Sequence, residues 1–217
     1  MRLQNDLISE LFYMKINGIG VTSPDQEMNM MNQGIVRIGG DVFGAFDDEV
    51  ITALTNTQDL IGAVLRIHFC LEEFLNIWCN KITNNSDFFD FGFIGFDKKI
   101  KIAKKLGLSE DLAVIFKLFN NIRNRYAHDT SAKITIDQLN DIRLRIDLLP
   151  NFGTTPIPKC DDPKFETLVG NKNLSWGGTD ITTKDRMVIL YFVFSMKILG
   201  SYAREFQKKN ISFTYVR

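Results

Sequence analysis

Between Thr57 and Ile82 the chain repeats apolar residues at helical spacing: Leu60, Ile61, Val64, Leu65, Leu71, Phe74, Leu75, Trp78 and Ile82. Threaded through them, His68, Glu72, Asn76 and Asn80 recur every four residues. Residues four apart share a helix face, so the spacing predicts one long central helix, mostly apolar, with a single polar seam. A helix apolar around so much of its circumference must be surrounded by other elements, which commits the chain to a packed bundle.

Helical segments follow on either side. The signal strengthens from Asp48. Phe96 to Leu106 reads as a basic amphipathic helix with Phe96, Ile100, Ala103 and Leu106 on one side and Lys98, Lys99, Lys101, Lys104 and Lys105 supplying the charge. Gly107 is placed to end it. Ser109 is a plausible N-cap for the next helix, with Glu110 and Asp111 favourable in the first turn, and that helix runs to about His128. Thr135 and Gln138 have capping-box spacing and open a helix through Leu148, with Pro150 ending it. A last helix spans roughly Thr183 to Lys208. Residues 150–180 hold four of the five prolines and read as an ordered loop or extended segment. Residues 2–16 suit a short amphipathic helix, and residues 17–47 read as loops with one short helix or strand near Gly34 to Ile38. The expected class is all-α: a helical domain over residues 48–217, an irregular N-terminal extension over residues 1–47, and a long loop before the last helix.

Composition narrows the function classes. Lys+Arg and Asp+Glu both number 26, so bulk charge gives no argument for nucleic acid, and such a partner needs a local basic patch. The three cysteines, Cys70, Cys79 and Cys160, are odd in number and form no CxxC pair. That argues against a disulfide framework and for a reducing cytoplasm. With only two histidines, a His/Cys zinc site is not expected, and no metal or other cofactor is. Met1 to Ile16 lack the continuous apolar stretch of a secretory signal. The apolar run Met187 to Met196 is about half of what a membrane span needs, so it reads as a buried helix and no membrane partner is expected.

The constellation with chemical content is Arg123-Asn124-Arg125-Tyr126-Ala127-His128. Asn120, Asn124 and His128 are spaced i, i+4, i+8 along one face. Arg123 lies five residues before His128, which on an ideal helix turns the two about 140° apart. They converge only if the helix ends or bends near Ala127, or if a second copy supplies the missing partner. Such a cluster suits phosphate. Imidazole moves a proton near neutral pH, and guanidinium holds two phosphate oxygens and stabilises developing negative charge. Together they can cleave RNA without metal, the ribose 2′-hydroxyl attacking its own phosphate with His as acid or base. The plainer alternative is a helix end whose Arg, Asn and His cap their own carbonyls.

These residues carry a resemblance. Arg-Asn-x-x-x-His, with its Arg-x4-His spacing, resembles the signature of HEPN domains (higher eukaryote and prokaryote nucleotide-binding). FDKKIKIAKKLGL at 96–108 followed by NNIRNRYAHD at 120–129 is similar to the mannitol operon repressor family, itself a HEPN-like helical fold. IGAVLRIHFCLEEFLN at 61–76 is similar to that family's first long helix and KDRMVILYFVFSMKIL at 184–199 to its last. The resemblance covers roughly residues 50–205, apart from the 150–180 loop. It implies a HEPN-like helical bundle and a homodimer whose motif helices face each other across a two-fold axis. Its activity would be that of a metal-independent endoribonuclease in a toxin–antitoxin or phage-defence system, with RNA as substrate and an antitoxin or other regulatory protein as controller. Arg123 and His128 become the catalytic pair and Asn124 their polar companion, with Glu72 or Glu73 bracing Arg123. Asn120 and Tyr126 support the site. Many HEPN-like proteins are instead non-catalytic binding modules, so a regulatory or protein-interaction module resembling mannitol operon repressors is the alternative.

Other residues have two readings each. His68 shares the polar seam with Glu72, as a structural or solvent-facing group or as a neighbour of the site. Lys101, Lys104 and Lys105, with Arg125, form either a solvated face or a phosphate-backbone track. Phe88, Phe89, Phe91, Phe93 and Phe96 suit core or dimer interface better than a base-stacking platform. Cys70 and Cys79 are expected to be buried and inert. Trp176 either covers a pocket or anchors its loop.

Overall fold

The structure, a computed structural model, describes residues 35–38, 41–42, 48–129, 131–151, 157–162, 167–169 and 172–216. Six helices are found among them: α1 (Asp48–Asn56), α2 (Leu60–Thr83), α3 (Phe96–Lys105), α4 (Glu110–His128), α5 (Ile136–Leu148) and α6 (Thr183–Lys208). They form a helical bundle, the all-α class expected from the periodicity. The expected helix over residues 2–16 lies outside the described residues.

Local chemistry sets the helix boundaries. The pattern from Thr57 does not start the long helix at once. Asp59 caps it, its carboxylate accepting from the backbone N–H of Ile61 at 3.1 Å and of Gly62 at 2.7 Å. Ser109 Oγ accepts from Leu112 N at 3.3 Å, and Thr135 and Gln138 complete their capping box. At the other ends, Asn84 (φ 53°), Gly107 (φ 98°) and Asn210 (φ 56°) adopt the left-handed conformation. In each case the following residue's N–H reaches back to the last turn: Asn85 to Asn80 O, Leu108 to Ala103 O and Ile211 to Phe206 O. These reciprocal turns satisfy carbonyls that the helix end would otherwise leave open.

The core sits around α6, whose residues from Met187 to Tyr202 are all buried. This is the one helix among the described residues long and apolar enough to cross a membrane, and here the bundle covers most of it. It packs on α2 and α5; α4 packs on α2, and α3 lies against both α2 and α4. Aromatic rings fill the α2–α6 contact. Trp78 lies 4.9 Å from the Tyr202 ring and stacks on Phe206 at 5.5 Å. On the α4 side, Phe194 meets Phe116 at 5.2 Å and Phe119 at 5.8 Å. Many of the chain's phenylalanines thus serve the core, where large rings bury the most apolar area per residue.

Short strands accompany the bundle. β1 (Ile35–Ile38) lies between β2 (Asp41–Val42) and β5 (Phe213–Val216), antiparallel to both, with Ile38 opposite Phe213 and Ile35 opposite Val216. A strand near Gly34 to Ile38 was one of two expectations there. Its partner after α6 has no counterpart in the sequence reading, and it ties the described part of the N-terminal extension to the far end of the helical domain. Within the long loop, β3 (Thr167–Val169) and β4 (Lys172–Leu174) pair as a second antiparallel unit.

The loop is fastened to α5 and α6. Trp176 lies under two guanidinium groups, Arg143 of α5 at 5.7 Å and Arg186 of α6 at 5.9 Å. Arg143 also pairs with Asp161, and Asp147 accepts from Cys160 N at 2.8 Å. Buried Lys197 donates to Leu149 O at 2.8 Å and to Asn151. Trp176 therefore anchors its loop. All three cysteines are free and buried, as expected for Cys70 and Cys79.

Candidate functional site

α4 carries the whole Arg-x4-His motif. It buries Leu112, Ile115, Phe116, Phe119 and Ile122 against the bundle and stays helical through His128, where Asp129 N–H closes the last turn on Arg125 O. No break intervenes at Ala127. Arg123 and His128 thus keep their five-residue offset of about 140° around the axis. Their surroundings differ accordingly: Arg123 is half-buried and His128 is exposed. One chain turns the two to different sides of the helix.

The stripe Asn120–Asn124–His128 grades from core to solvent. Asn120 is buried, and its Nδ2 donates to Asp97 Oδ1 at 3.0 Å, bracing α4 against the first turn of α3. Asn124 is half-buried and accepts from Arg123 Nη1 at 3.0 Å. Tyr126 is buried, its phenol bonded to the Ile134 backbone, and burial pushes its pKa up. It anchors the turn after α4. Arg125 is exposed and its Nη1 donates to Gln138 Oε1 at 3.2 Å, so it clips the end of α4 to the capping box of α5.

The expected brace for Arg123 from Glu72 is not what the structure shows. Glu72 Oε1 lies 2.8 Å from Lys99 Nζ, which also donates to Asn76 Oδ1 at 2.9 Å and sits 4.9 Å from the Phe89 ring. The seam residues of α2 therefore take their cation from α3. Glu73 is half-buried on the same helix. This also divides the lysine cluster. Lys99 is buried, and Lys104 pairs with Glu110 at 2.5 Å. Lys98, Lys101 and Lys105 are left facing solvent, a narrower basic face than the count of lysines implied.

His68 lies deeper than its place in the polar seam implied. It is buried at 5% exposure, so the solvent-facing reading does not hold. Its ring lies 4.4 Å from that of Phe96, the first residue of α3. Burial lowers its pKa, the positive charge of Arg123 lowers it further, and Glu72 opposes both. His68 on α2 is thus near enough to α4 for the charge of Arg123 to act on it. Neither its Nδ1 nor the Nε of Arg123 has a hydrogen-bond partner among the described residues, although both atoms are buried. The four-residue recurrence with Glu72 was the available signal.

The phenylalanine run also divides. Phe96 is buried, and Phe88 and Phe89 pack edge to face at 5.0 Å against the core. Phe91 and Phe93 are 69% and 100% exposed, and Phe69 of α2 is 65% exposed.

The chain matches no protein-family model, no curated protein and no solved structure.

Proposed function

We propose that this chain is a metal-independent endoribonuclease of the HEPN type, a toxin or phage-defence component that acts through a composite site in a homodimer. One observation carries the reading. α4 presents Arg123, half-buried and tethered to Asn124, on one side and His128, exposed, on another. A phosphate held by Arg123 of one copy would take its proton transfer from His128 of the second, because the unbroken helix keeps the two apart within one copy. Arg123 would bind phosphate oxygens and stabilise the charge that develops on them, and His128 would move the proton to or from the ribose or leaving oxygen. Exposed Lys101 and Lys105 would hold the flanking backbone.

The deciding experiment incubates the purified full chain with RNA in EDTA. Cleavage is expected, and its loss in His128→Ala is expected with the fold intact. Cleavage that persists undiminished in His128→Ala rules the site out.

A non-catalytic regulatory or protein-interaction module is the second reading, favoured by the solvent-facing rings of Phe91 and Phe93. Large exposed aromatic side chains are common anchors of protein interfaces. It predicts a folded protein without nuclease activity.

A further inference from the structure

Two buried atoms on the packed helices α2 and α4, His68 Nδ1 and Arg123 Nε, lack partners among the described residues and are chemically complementary. Arg123 Nε–H can only donate, and the unprotonated nitrogen of a neutral imidazole can only accept. Leaving both unsatisfied costs about 1–3 kcal/mol each, so two such atoms on neighbouring helices call for an explanation. The frame around them is fixed from three sides. Phe96 holds the His68 ring at 4.4 Å, Asn120, one turn before Arg123, is tied to Asp97 at 3.0 Å, and Lys99 holds Glu72, one turn after His68, at 2.8 Å.

We infer that His68 is the positioning residue of Arg123: its Nδ1 and Arg123 Nε–H are joined through one bridging water, which accepts from the guanidinium and donates to the imidazole. The imidazole proton then sits on Nε2. Asn124 accepts from Nη1, so the guanidinium is held at two points and its remaining Nη hydrogens are left for a phosphate. His68 does not touch the phosphate itself, being buried. The charged groups around it suit a neutral ring. Arg123 from α4 opposes a proton on it, Glu72 of its own helix is neutralised by Lys99 of α3, and Asp97 of α3 is held by Asn120. As a role in catalysis the inference rests on the nuclease reading; as a contact it does not.

The test therefore has two arms. The chain has two histidines, so side-chain nitrogen NMR of the full protein resolves both once His128→Ala assigns them. His68 is expected as the Nε2–H tautomer at neutral pH, with its titration moving upward in Arg123→Met. An Nδ1–H tautomer, or a His68 titration unchanged by Arg123→Met, overturns the inference whether or not the protein cleaves RNA. The second arm compares His68→Leu with His68→Asn, whose amide oxygen can replace Nδ1. Losing one oriented hydrogen bond predicts a drop of about tenfold in kcat for His68→Leu, with KM little changed and most of the rate restored in His68→Asn. Equal losses in the two variants, with both folded, overturn the positioning role. A wild-type protein that shows the NMR signature and cleaves no RNA keeps the contact and removes the nuclease reading.

Discussion

Lys99 Nζ lies 2.8 Å from Glu72 Oε1, which takes the second of the five lysines of a basic helix out of solvent and makes it a strut between α3 and α2. Removing one member of such a pair strands the other charge in a half-buried seam. Lys99→Met is expected to destabilise the fold by about 2–3 kcal/mol. Lys101→Met and Lys105→Met, on the exposed face, should leave stability within roughly 0.5 kcal/mol. Urea unfolding of the three variants separates them, and equal small effects would show that the strut is not needed.

The composite site makes a specific prediction for mixtures. Arg123→Ala and His128→Ala are each expected to be inactive. Unfolded together and refolded, half of the dimers carry one copy of each variant, and each of these has one intact Arg/His pair. About a quarter of wild-type cleavage should return, by the two-fold symmetry of such an interface. A mixture as inactive as its components would place both residues of a site in the same chain.

The phenol of Tyr202 donates to Phe74 O at 2.9 Å in the fully buried α2–α6 contact. Tyr202→Phe keeps the ring packing against Trp78 and removes only that bond. The expected loss is about 1 kcal/mol, seen as a lower urea midpoint with an unchanged m-value.

The histidine seam links stability to pH. His68 has its pKa lowered by burial and by Arg123, below the 6.5 of a free imidazole. Below that unfolded value the unfolded chain binds more protons than the folded one, so stability rises with pH there. The contribution is fully present above about pH 6.5 and is lost as pH falls through the lower folded value. The difference in unfolding free energy between wild type and His68→Leu should therefore change between neutral and mildly acidic pH and level off above neutrality. A difference constant across that range would mean that the folded ring titrates as a free one does.

Burial pushes the Cys79 thiol up to about 12 and raises those of Cys70 and Cys160 as well. Thiolate is the reactive form, so a disulfide reagent at pH 8 should label no thiol of the folded chain at these positions and all three after unfolding. Rapid labelling of the native protein at any of the three would contradict the packing around it.

Periodicity and caps made most of the helical architecture legible. The four-residue polar recurrence located α2, and Ser109, the Thr135/Gln138 pair and Gly107 marked ends that the structure shows at or within a residue of those places. These signals are local: a cap or a left-handed turn is decided by hydrogen bonds a few residues long. The pairing of β1 with β5 was hidden because its two strands are separated by the whole bundle, and neither is long enough to declare a partner. The division of the lysines into one buried strut and an exposed face, and the burial of His68 against Phe96, were hidden for the same reason. By itself the sequence determined the helices and put Arg123, Asn124 and His128 on one of them. Only the tertiary structure decided which side of α4 each faces, that Glu72 answers to Lys99, and that His68 is buried against Phe96, because burial and charge pairing are properties of the space between helices.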